Sequence, residues 1–259
     1  MTQKRENLEG WLIVNDAHYP FHDQLAITLV KQFAKDFKPD GIVFNGDWMD
    51  CFEISKYDKV PRYGKNLQEE IDLVKQDFES WRKVAPDAKM IWLEGNHEFR
   101  MRQYLIRRAE HLFGLRALEV PLLFDLAKFN IEWKPCKEGL SKFSHNFIKI
   151  GALYVGHWDK VAKHSAYTAK ALVEEKGVSI LQGHCHRGGS HLKTLANEEV
   201  LAGYENFCLC DLNPSYISLP NWQQGFSVVY KEKGHSRFMV EQIPMVKHEF
   251  IFGGKHYHL

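Results

Sequence analysis

The stretch WLIVNDAH, residues 11–18, decides the fold, because four apolar residues lead directly into a polar segment that contains Asp16 and His18. A short apolar run bounded by polar residues predicts a buried strand. The same arrangement recurs at residues 42–47 (IVFNGD) and 90–97 (MIWLEGNH). Three buried strands that end in polar loops therefore predict a sheet with a functional edge.

Two helical segments separate these strands. The sequence predicts helices over residues 24–37 and 66–85, and a Pro-Asp pair follows them, at Pro39 and Pro86. The first hundred residues thus have the order β-α-β-α-β. Because such crossovers are right-handed, the strands are expected to be parallel, with their polar loops gathered along one edge of the sheet.

The second half of the chain is richer in strands. Residues 99–117 and 160–175 are predicted helices, and turns at Gly151 and at residues 231–235 favour hairpins. The predicted strands are Phe147–Ile150, Leu153–Gly156, Ser179–Gln182, Phe207–Cys210, Phe226–Tyr230 and Phe238–Gln242. We therefore predict one α/β domain over residues 1–259, with 118–146 as a cap or insertion and 190–259 as a β-rich C-terminal part.

Composition excludes several classes of protein. The 259 residues are 44% hydrophobic and 26% charged, as in a globular protein, and 34 basic against 33 acidic residues give a net charge of +1. Bulk charge therefore cannot attract nucleic acid or an anionic membrane, and any such contact needs a local patch. The sequence shows neither a secretory signal nor a run of about 18 apolar residues. We expect a cytoplasmic protein without membrane contact.

The cysteines favour the same compartment. Five scattered cysteines without a secretory signal indicate reduced thiols. Cys208 and Cys210 are the one close pair, and they lack a second pair at zinc-site spacing. The sequence therefore favours buried, apolar roles for these thiols over a structural zinc site.

Five segments place metal-binding side chains after predicted strands. Carboxylate, amide and imidazole ligands of this kind suit Mn, Fe or Zn. Asp16 and His18 are two residues apart, as are His184 and His186, so each pair can face the same ion. A single segment of this type is more often a cap or a turn, but five in order predict a metal centre. The segments are Asp16–His18, Gly46–Asp50, Gly95–Glu98, Gly156–His157 and Gly183–His186.

The motifs DxH, GDxxD, GNH[DE], H and GHxH over residues 16–186 resemble those of the calcineurin-like metallophosphoesterase superfamily. The resemblance implies a β-sandwich of two mixed sheets flanked by helices, with two divalent ions. It assigns one ion to Asp16, His18 and His186, and the other to Asn96, His157 and His184, with Asp47 bridging both. Manganese is the expected metal, with Fe, Zn, Ni or Mg as alternatives.

The resemblance also implies a mechanism. His97 would act as general acid toward the leaving oxygen, or steady the charge there, and Asp50 would hydrogen-bond His97 and set its tautomer. A hydroxide that bridges the two ions would attack the phosphorus in line with the leaving group. We therefore expect a metal-dependent phosphoesterase.

The substrate is less closely defined. The Ser/Thr protein phosphatases carry an arginine at the positions of Cys51 and Glu94, and the metal-binding tyrosine of purple acid phosphatases was not found. The chain is more similar to bacterial and phage-type phosphoesterases, which include repair nucleases and small phosphodiesterases. We expect a phosphodiester substrate, either nucleic acid or nucleotide. The alternatives are a phosphomonoesterase and a metal-binding scaffold without catalysis.

Three residues beside the motifs are candidate substrate contacts. Arg187 and Arg100 could bind phosphate, and Trp48 could stack a base, although solvent-facing arginines and a packed aromatic ring are the simpler interpretations. The loops at residues 213–216 and 220–225, which include Trp222, could form a rim over the site. A homodimer or an accessory partner is expected if the substrate is DNA.

Overall fold

The computed structural model describes residues 6–56, 66–136, 146–214 and 220–259. Its helices are α1 Gln24–Phe37, α2 Leu67–Val84, α3 Phe99–Arg108, α4 Val120–Leu123, α5 Leu126–Phe129 and α6 Tyr167–Lys176. Its strands are β1 Leu8–Val14, β2 Gly41–Asn45, β3 Lys89–Leu93, β4 Ile131–Lys134, β5 Asn146–Ile150, β6 Leu153–His157, β7 Ser179–Gln182, β8 Gly188–Thr194, β9 Val200–Asn206, β10 Gln224–Glu232, β11 Phe238–Met245, β12 Phe250–Phe252 and β13 Lys255–Tyr257.

The strands form two large mixed sheets. The first has the order β11-β10-β1-β2-β3-β4, in which β1 to β4 are parallel and β10 and β11 are antiparallel. The second has the order β5-β6-β7-β9-β8, with a parallel centre and antiparallel edges. A two-stranded hairpin, β12–β13, follows. The predicted α/β class, with two mixed sheets flanked by helices, is confirmed.

Residues of β1, β2 and β3 alternate between the two faces of the first sheet. Ile13, Val43 and Ile91 pack toward the second sheet, where they meet Val155 and Leu181 of β6 and β7. The intervening residues pack against α1 and α2. Strands buried on both faces are apolar at every position, which explains why they were recognisable in the sequence.

The two predicted helices of the first half are present with nearly the expected bounds. Asp23 caps α1, because its carboxylate accepts the N–H groups of Leu25 and Ala26 at 3.0 Å. Asn66 and Glu69 form a capping box at the start of α2. These caps satisfy backbone donors that have no partner within the helix.

The region after residue 98 differs from the prediction in three places. The helix expected over 99–117 ends at Arg108 and continues as short 3₁₀ turns, and the helix expected over 160–175 begins at Tyr167. Ile131–Lys134 lies within the expected cap but pairs in parallel with β3, so this part of 118–146 is a sheet edge. Residues 137–145 lie outside the described part of the chain.

The C-terminal part is β-rich, as predicted, but its strands are arranged differently. Residues 207–210 were expected to form a strand, yet Cys208 and Cys210 make only isolated bridges. The ladder lies just before them, between β8 and β9. Among the described residues, no helix is both long and apolar enough to cross a membrane.

Candidate metal centre

The predicted metal ligands meet at one end of the sandwich. Those from the first sheet follow β1, β2 and β3, and those from the second sheet end β6 or follow β7, so both sheets contribute. This agrees with the rule that sites in parallel sheets lie beyond the carboxyl ends of the strands. The seven residues are Asp16, His18, Asp47, Asn96, His157, His184 and His186.

Five of these seven residues have a left-handed backbone conformation that residues other than glycine rarely adopt. The φ angles are 52° at Asp16, 54° at His18, 52° at Asp47, 76° at His184 and 55° at His186. Each such residue costs on the order of 1 kcal/mol and persists only where the surroundings enforce it. Concentration of this strain at the strand ends marks the region as functional.

The first group consists of Asp16, His18 and His186, all buried. His186 Nε2 lies 3.1 Å from Asp16 Oδ1, and His18 Nε2 lies 3.0 Å from His186 Nε2. His18 Nδ1 lies 3.1 Å from Asp50 Oδ2. Because the carboxylate accepts a hydrogen bond from Nδ1–H, the Nε2 lone pair of His18 faces the group and can bind a cation.

The second group consists of Asp47, His157 and His184, with Asn96 beside them. His157 Nε2 lies 3.2 Å from Asp47 Oδ2 and 3.1 Å from Asn96 Oδ1. On the opposite side of its ring, His157 Nδ1 donates to the carbonyl oxygen of Asn45 at 2.9 Å. This bond directs the other ring nitrogen into the group.

Asp47 connects the two groups. Its Oδ2 atom lies 3.2 Å from His157 Nε2 in the second group and 3.9 Å from His18 Nε2 in the first. Its Oδ1 atom accepts the backbone N–H of His97 at 2.8 Å. A carboxylate at the junction of two ligand groups is in the right place to bridge two ions.

The electrostatics of the two groups indicate that they require positive charge. Burial acts to lower the pKa of His157, but the charge and hydrogen bond of Asp47, together with the charge of Asp16, raise that pKa to about 9. Burial, together with the charge of His157, lowers the pKa of His184 to about 3. The His157 imidazole thus carries a proton where a cation would bind, whereas the His184 imidazole stays neutral. Oxygen and nitrogen ligands in this arrangement fit two Mn, Fe or Zn ions.

His97 lies beside the two groups and has a partner on each ring nitrogen. Its Nδ1 atom lies 2.9 Å from the carbonyl oxygen and 3.2 Å from Oδ2 of Asp50, in the arrangement expected of a residue that sets its tautomer. Its Nε2 atom lies 2.9 Å from Nη2 of Arg100. Because a guanidinium group only donates, Nε2 accepts and the proton is on Nδ1.

Arg100 is the one candidate substrate contact that the structure places next to His97. Its Nη1 atom donates to the carbonyl oxygen of Asp50 at 2.9 Å and approaches the Asp50 carboxylate at 3.4 Å. The arginine is held at the site by two neighbours and is 18% exposed, so one face remains open to solvent.

The structure places the other two candidates elsewhere. Trp48 is fully buried and its indole nitrogen donates to Asp77 at 2.9 Å, so the ring has no surface on which a base could stack. The Arg187 guanidinium donates to the carbonyl oxygens of Ala162 and Lys163 at 2.5 and 3.0 Å, and this residue is also buried. Both side chains stabilise the structure around the site instead of facing it.

The predicted rim is present in part. Trp222 is half-buried, and its ring meets that of His186 edge to face with the ring centres 4.4 Å apart. Residues 215–219, and with them part of the 213–216 loop, lie outside the described part of the chain.

Glu98 has a role that sequence reasoning missed. This buried carboxylate accepts the backbone N–H groups of Asp47, Met49 and Gly95 at 2.8 to 2.9 Å. It therefore ties the loop after β2 to the loop after β3. Its place in the GNH[DE] motif could have indicated this role, because the acidic position of the motif directly follows His97.

A buried set of carboxylate, amide and imidazole ligands at the strand ends of an α/β sandwich is the arrangement of a metal-dependent hydrolase. Residues 11–218 match the profile of the family described as Calcineurin-like phosphoesterase, and the chain therefore belongs to that family. It is a phosphoester hydrolase that depends on divalent metal ions.

Two phage proteins are similar to the chain over nearly its whole length. The Gene 54 protein of Mycobacterium phage L5 is 26% identical over 258 residues, which cover 94% of this chain and 96% of the relative. The Gene 54 protein of Mycobacterium phage D29 is 25% identical over 257 residues, with the same coverage of both chains.

The chain is also similar to solved structures of lower sequence identity. Vps29 from Entamoeba histolytica, crystallised with zinc, has a TM-score of 0.41 at 12% identity and covers 92% of this chain and 93% of its own. A dimetal phosphatase from Danio rerio has a TM-score of 0.41 at 10% identity, with 92% and 96% covered.

Proposed function

We propose that this enzyme is a two-metal phosphodiesterase whose substrate is a nucleic acid or a nucleotide. The observation that carries the proposal is the pair of buried ligand groups that meet at Asp47, with His97, Asp50 and Arg100 beside them. We assign one ion to Asp16, His18 and His186, and the other to Asn96, His157 and His184. Asp47 would hold both ions, and manganese is the expected metal.

Two divalent ions in these groups would activate a water molecule and neutralise charge on the phosphoryl oxygens. The protein supplies the groups on the leaving side. Asp50 orients the His97 ring through Nδ1, and Arg100 occupies Nε2 in the resting enzyme. When a phosphate attracts the guanidinium group, Nε2 becomes free to take up a proton from solvent, and the imidazolium then gives that proton to the leaving oxygen.

The charges around His97 favour a diester over a monoester. A diester phosphate carries one negative charge and a monoester carries close to two near neutral pH. Of the two arginines proposed as phosphate contacts, Arg187 is bonded to backbone carbonyl oxygens, which leaves Arg100. One arginine beside the leaving group matches a singly charged phosphate better.

The surface of α3 supports a polymeric substrate. Arg100 lies near the start of this helix at the site, and Arg107 and Arg108 are exposed in its last turn. Seven helical residues span about 10 Å, so the helix presents positive charge both at the site and beyond it. Such a track suits the phosphates of a nucleic acid backbone. A homodimer or accessory partner would extend the track.

The test is an assay of metal-free protein to which Mn, Fe, Zn, Ni or Mg is returned. The substrates are a chromogenic monoester, a chromogenic diester, and labelled single- and double-stranded DNA. We expect metal-restored cleavage of the diester and of DNA that is lost in His97→Ala. His111→Ala is the matched control, because that side chain is 94% exposed and lies outside both ligand groups.

Other outcomes would point to the alternatives. Turnover of the monoester alone would make the enzyme a phosphomonoesterase and contradict the assignment of Arg100 to a singly charged phosphate. If the protein held two ions and cleaved none of the substrates, the result would support a scaffold that binds metal without catalysis.

A further inference from the structure

A third group of metal-binding side chains lies behind the candidate metal centre. His186, Cys208 and Cys210 each offer one ligand atom within 4.8 Å of the other two, and all three residues are buried. We propose that they bind one soft divalent ion, such as zinc or cadmium, and that this ion draws His186 away from Asp16. The result would be inhibition by excess soft metal.

The backbone directs both thiols to the same side. Residues 207–210 are held by neighbouring segments: the N–H of Cys208 donates to the carbonyl oxygen of Gln223 at 3.1 Å, and that of Leu209 to Asp16 at 3.1 Å. Residues two apart in such a bridged segment point the same way. Leu209 packs into the core between α1 and the first sheet, whereas Cys208 and Cys210 approach His186.

The donor atoms suit a soft ion. Cys210 Sγ lies 3.8 Å from Nδ1 of His186. A tetrahedral zinc ion with bonds of about 2.3 Å to sulfur and about 2.0 Å to nitrogen separates two such ligands by roughly 3.5–3.8 Å. Two thiolates and an imidazole select zinc or cadmium over manganese, which prefers oxygen ligands.

An ion could reach this group from outside. Cys210 borders a small cleft whose walls also include Asp211, Pro214 and Trp222. Three protein ligands beside a cleft leave a fourth coordination position for water, as in zinc sites that exchange their ligands.

The shared imidazole connects this site to the metal centre. His186 faces Asp16 through Nε2, at 3.1 Å, and Cys210 through Nδ1. A neutral imidazole has one nitrogen lone pair, because its other ring nitrogen carries a proton. His186 therefore serves one ion at a time, and an ion on the thiols weakens the ligand set of Asp16 and His18.

The experiment adds cadmium to manganese-loaded enzyme at full activity. We expect thiolate-to-cadmium charge-transfer absorption in the ultraviolet, one cadmium bound per chain by elemental analysis, and loss of activity in parallel. Cys208→Ser should lose most of the absorption and resist inhibition at least tenfold. This variant keeps a donor for the carbonyl oxygen of Gln223, which the thiol approaches at 3.4 Å.

Two further variants complete the test. Cys210→Ser should behave like Cys208→Ser, whereas Cys136→Ser, a buried cysteine outside the group, should respond to cadmium as the wild type does. Equal absorption in wild type and both variants of the pair would overturn the site. Thiolate absorption without inhibition would overturn the competition for His186. The absorption is measured without substrate, so it does not depend on the proposed phosphodiesterase activity.

Discussion

The two halves of the metal centre differ in what lies behind their histidines. In the second group, His157 is backed by the carbonyl oxygen of Asn45, which belongs to strand β2 and is fixed by the sheet. In the first group, His18 is backed by the Asp50 side chain and His186 by the Cys210 thiol. His157 is thus oriented by a backbone group, whereas His18 and His186 are oriented by side chains.

This difference has consequences for metal binding. The groups that hydrogen-bond to a metal-binding histidine fix its ring orientation and its basicity. Loss of such a group typically lowers metal affinity 10- to 100-fold. A backbone carbonyl holds its histidine in a fixed direction, whereas a thiol at 3.8 Å is a weak and adaptable partner. We therefore expect the second group to bind its ion more tightly and the first group to be less selective.

The largest effect is expected from Asp47→Ala, because this carboxylate belongs to both halves. Removing it should abolish activity and release both ions, as elemental analysis of the purified variant would show. Asp87→Ala, at an exposed acid outside the ligand motifs, is the control. A variant that retained two ions would contradict the bridging position.

The next effect separates chemistry from metal binding. His97→Ala should lower kcat on an unactivated diester by about 10²- to 10⁴-fold, the usual contribution of a general acid. Both ions should remain, because His97 is assigned to neither half. Full activity at equal metal content would remove His97 from the mechanism.

A graded removal of metal tests the comparison itself. With increasing chelator, the ion of the first group should leave at a concentration about tenfold lower than that of the second. His186→Ala should show only the tighter phase and His157→Ala only the weaker phase, measured by residual metal content. Loss of both ions from wild type in a single phase would mean that the two halves bind equally well.

The smallest effect concerns Glu70, a buried carboxyl group that interacts electrostatically with Asp50. Burial, and next the charge of Asp50, raise the pKa of Glu70 to about 8. Folding therefore favours the protonated acid, and the stability that it contributes is complete below the ordinary pKa of 4.5 and is lost as the pH rises through 8. Glu70→Gln should stabilise the metal-free protein at pH 9 by on the order of 2 kcal/mol relative to wild type, with little change at acidic pH.

Urea unfolding at the two pH values measures this difference. Glu110→Gln is the matched control, because that side chain is 76% exposed. If the free energy of unfolding had the same pH dependence in wild type and Glu70→Gln, ionisation of Glu70 would not destabilise the folded protein.

The candidate ligands could be located in the sequence because each lies at or just after the end of an apolar strand. Sequence reasoning failed for residues directly beside the ligands. Trp48 follows Asp47 and Arg187 follows His186, yet the indole donates to Asp77 and the guanidinium to the carbonyl oxygen of Lys163, so neither side chain faces the site. Nearness in sequence to a ligand was therefore a poor guide to contact with substrate.

Two of the strands that escaped prediction lie at sheet edges. β4 ends the first sheet and β8 ends the second. The residues of β8 alternate between partly buried and exposed, and most of them are small or polar. Edge strands bury one face at most, so they lack the continuous apolar run that revealed β1, β2 and β3.

The ligands come from both sheets, with Asp16, Asp47 and Asn96 on one and His157, His184 and His186 on the other. Ions bound there would hold the two sheets of the sandwich together. A chain in which only one sheet has formed offers only part of each ligand set and cannot hold the pair of ions. Metal uptake would thus show that both sheets of the domain have formed. Loss of metal would weaken the association between the two sheets.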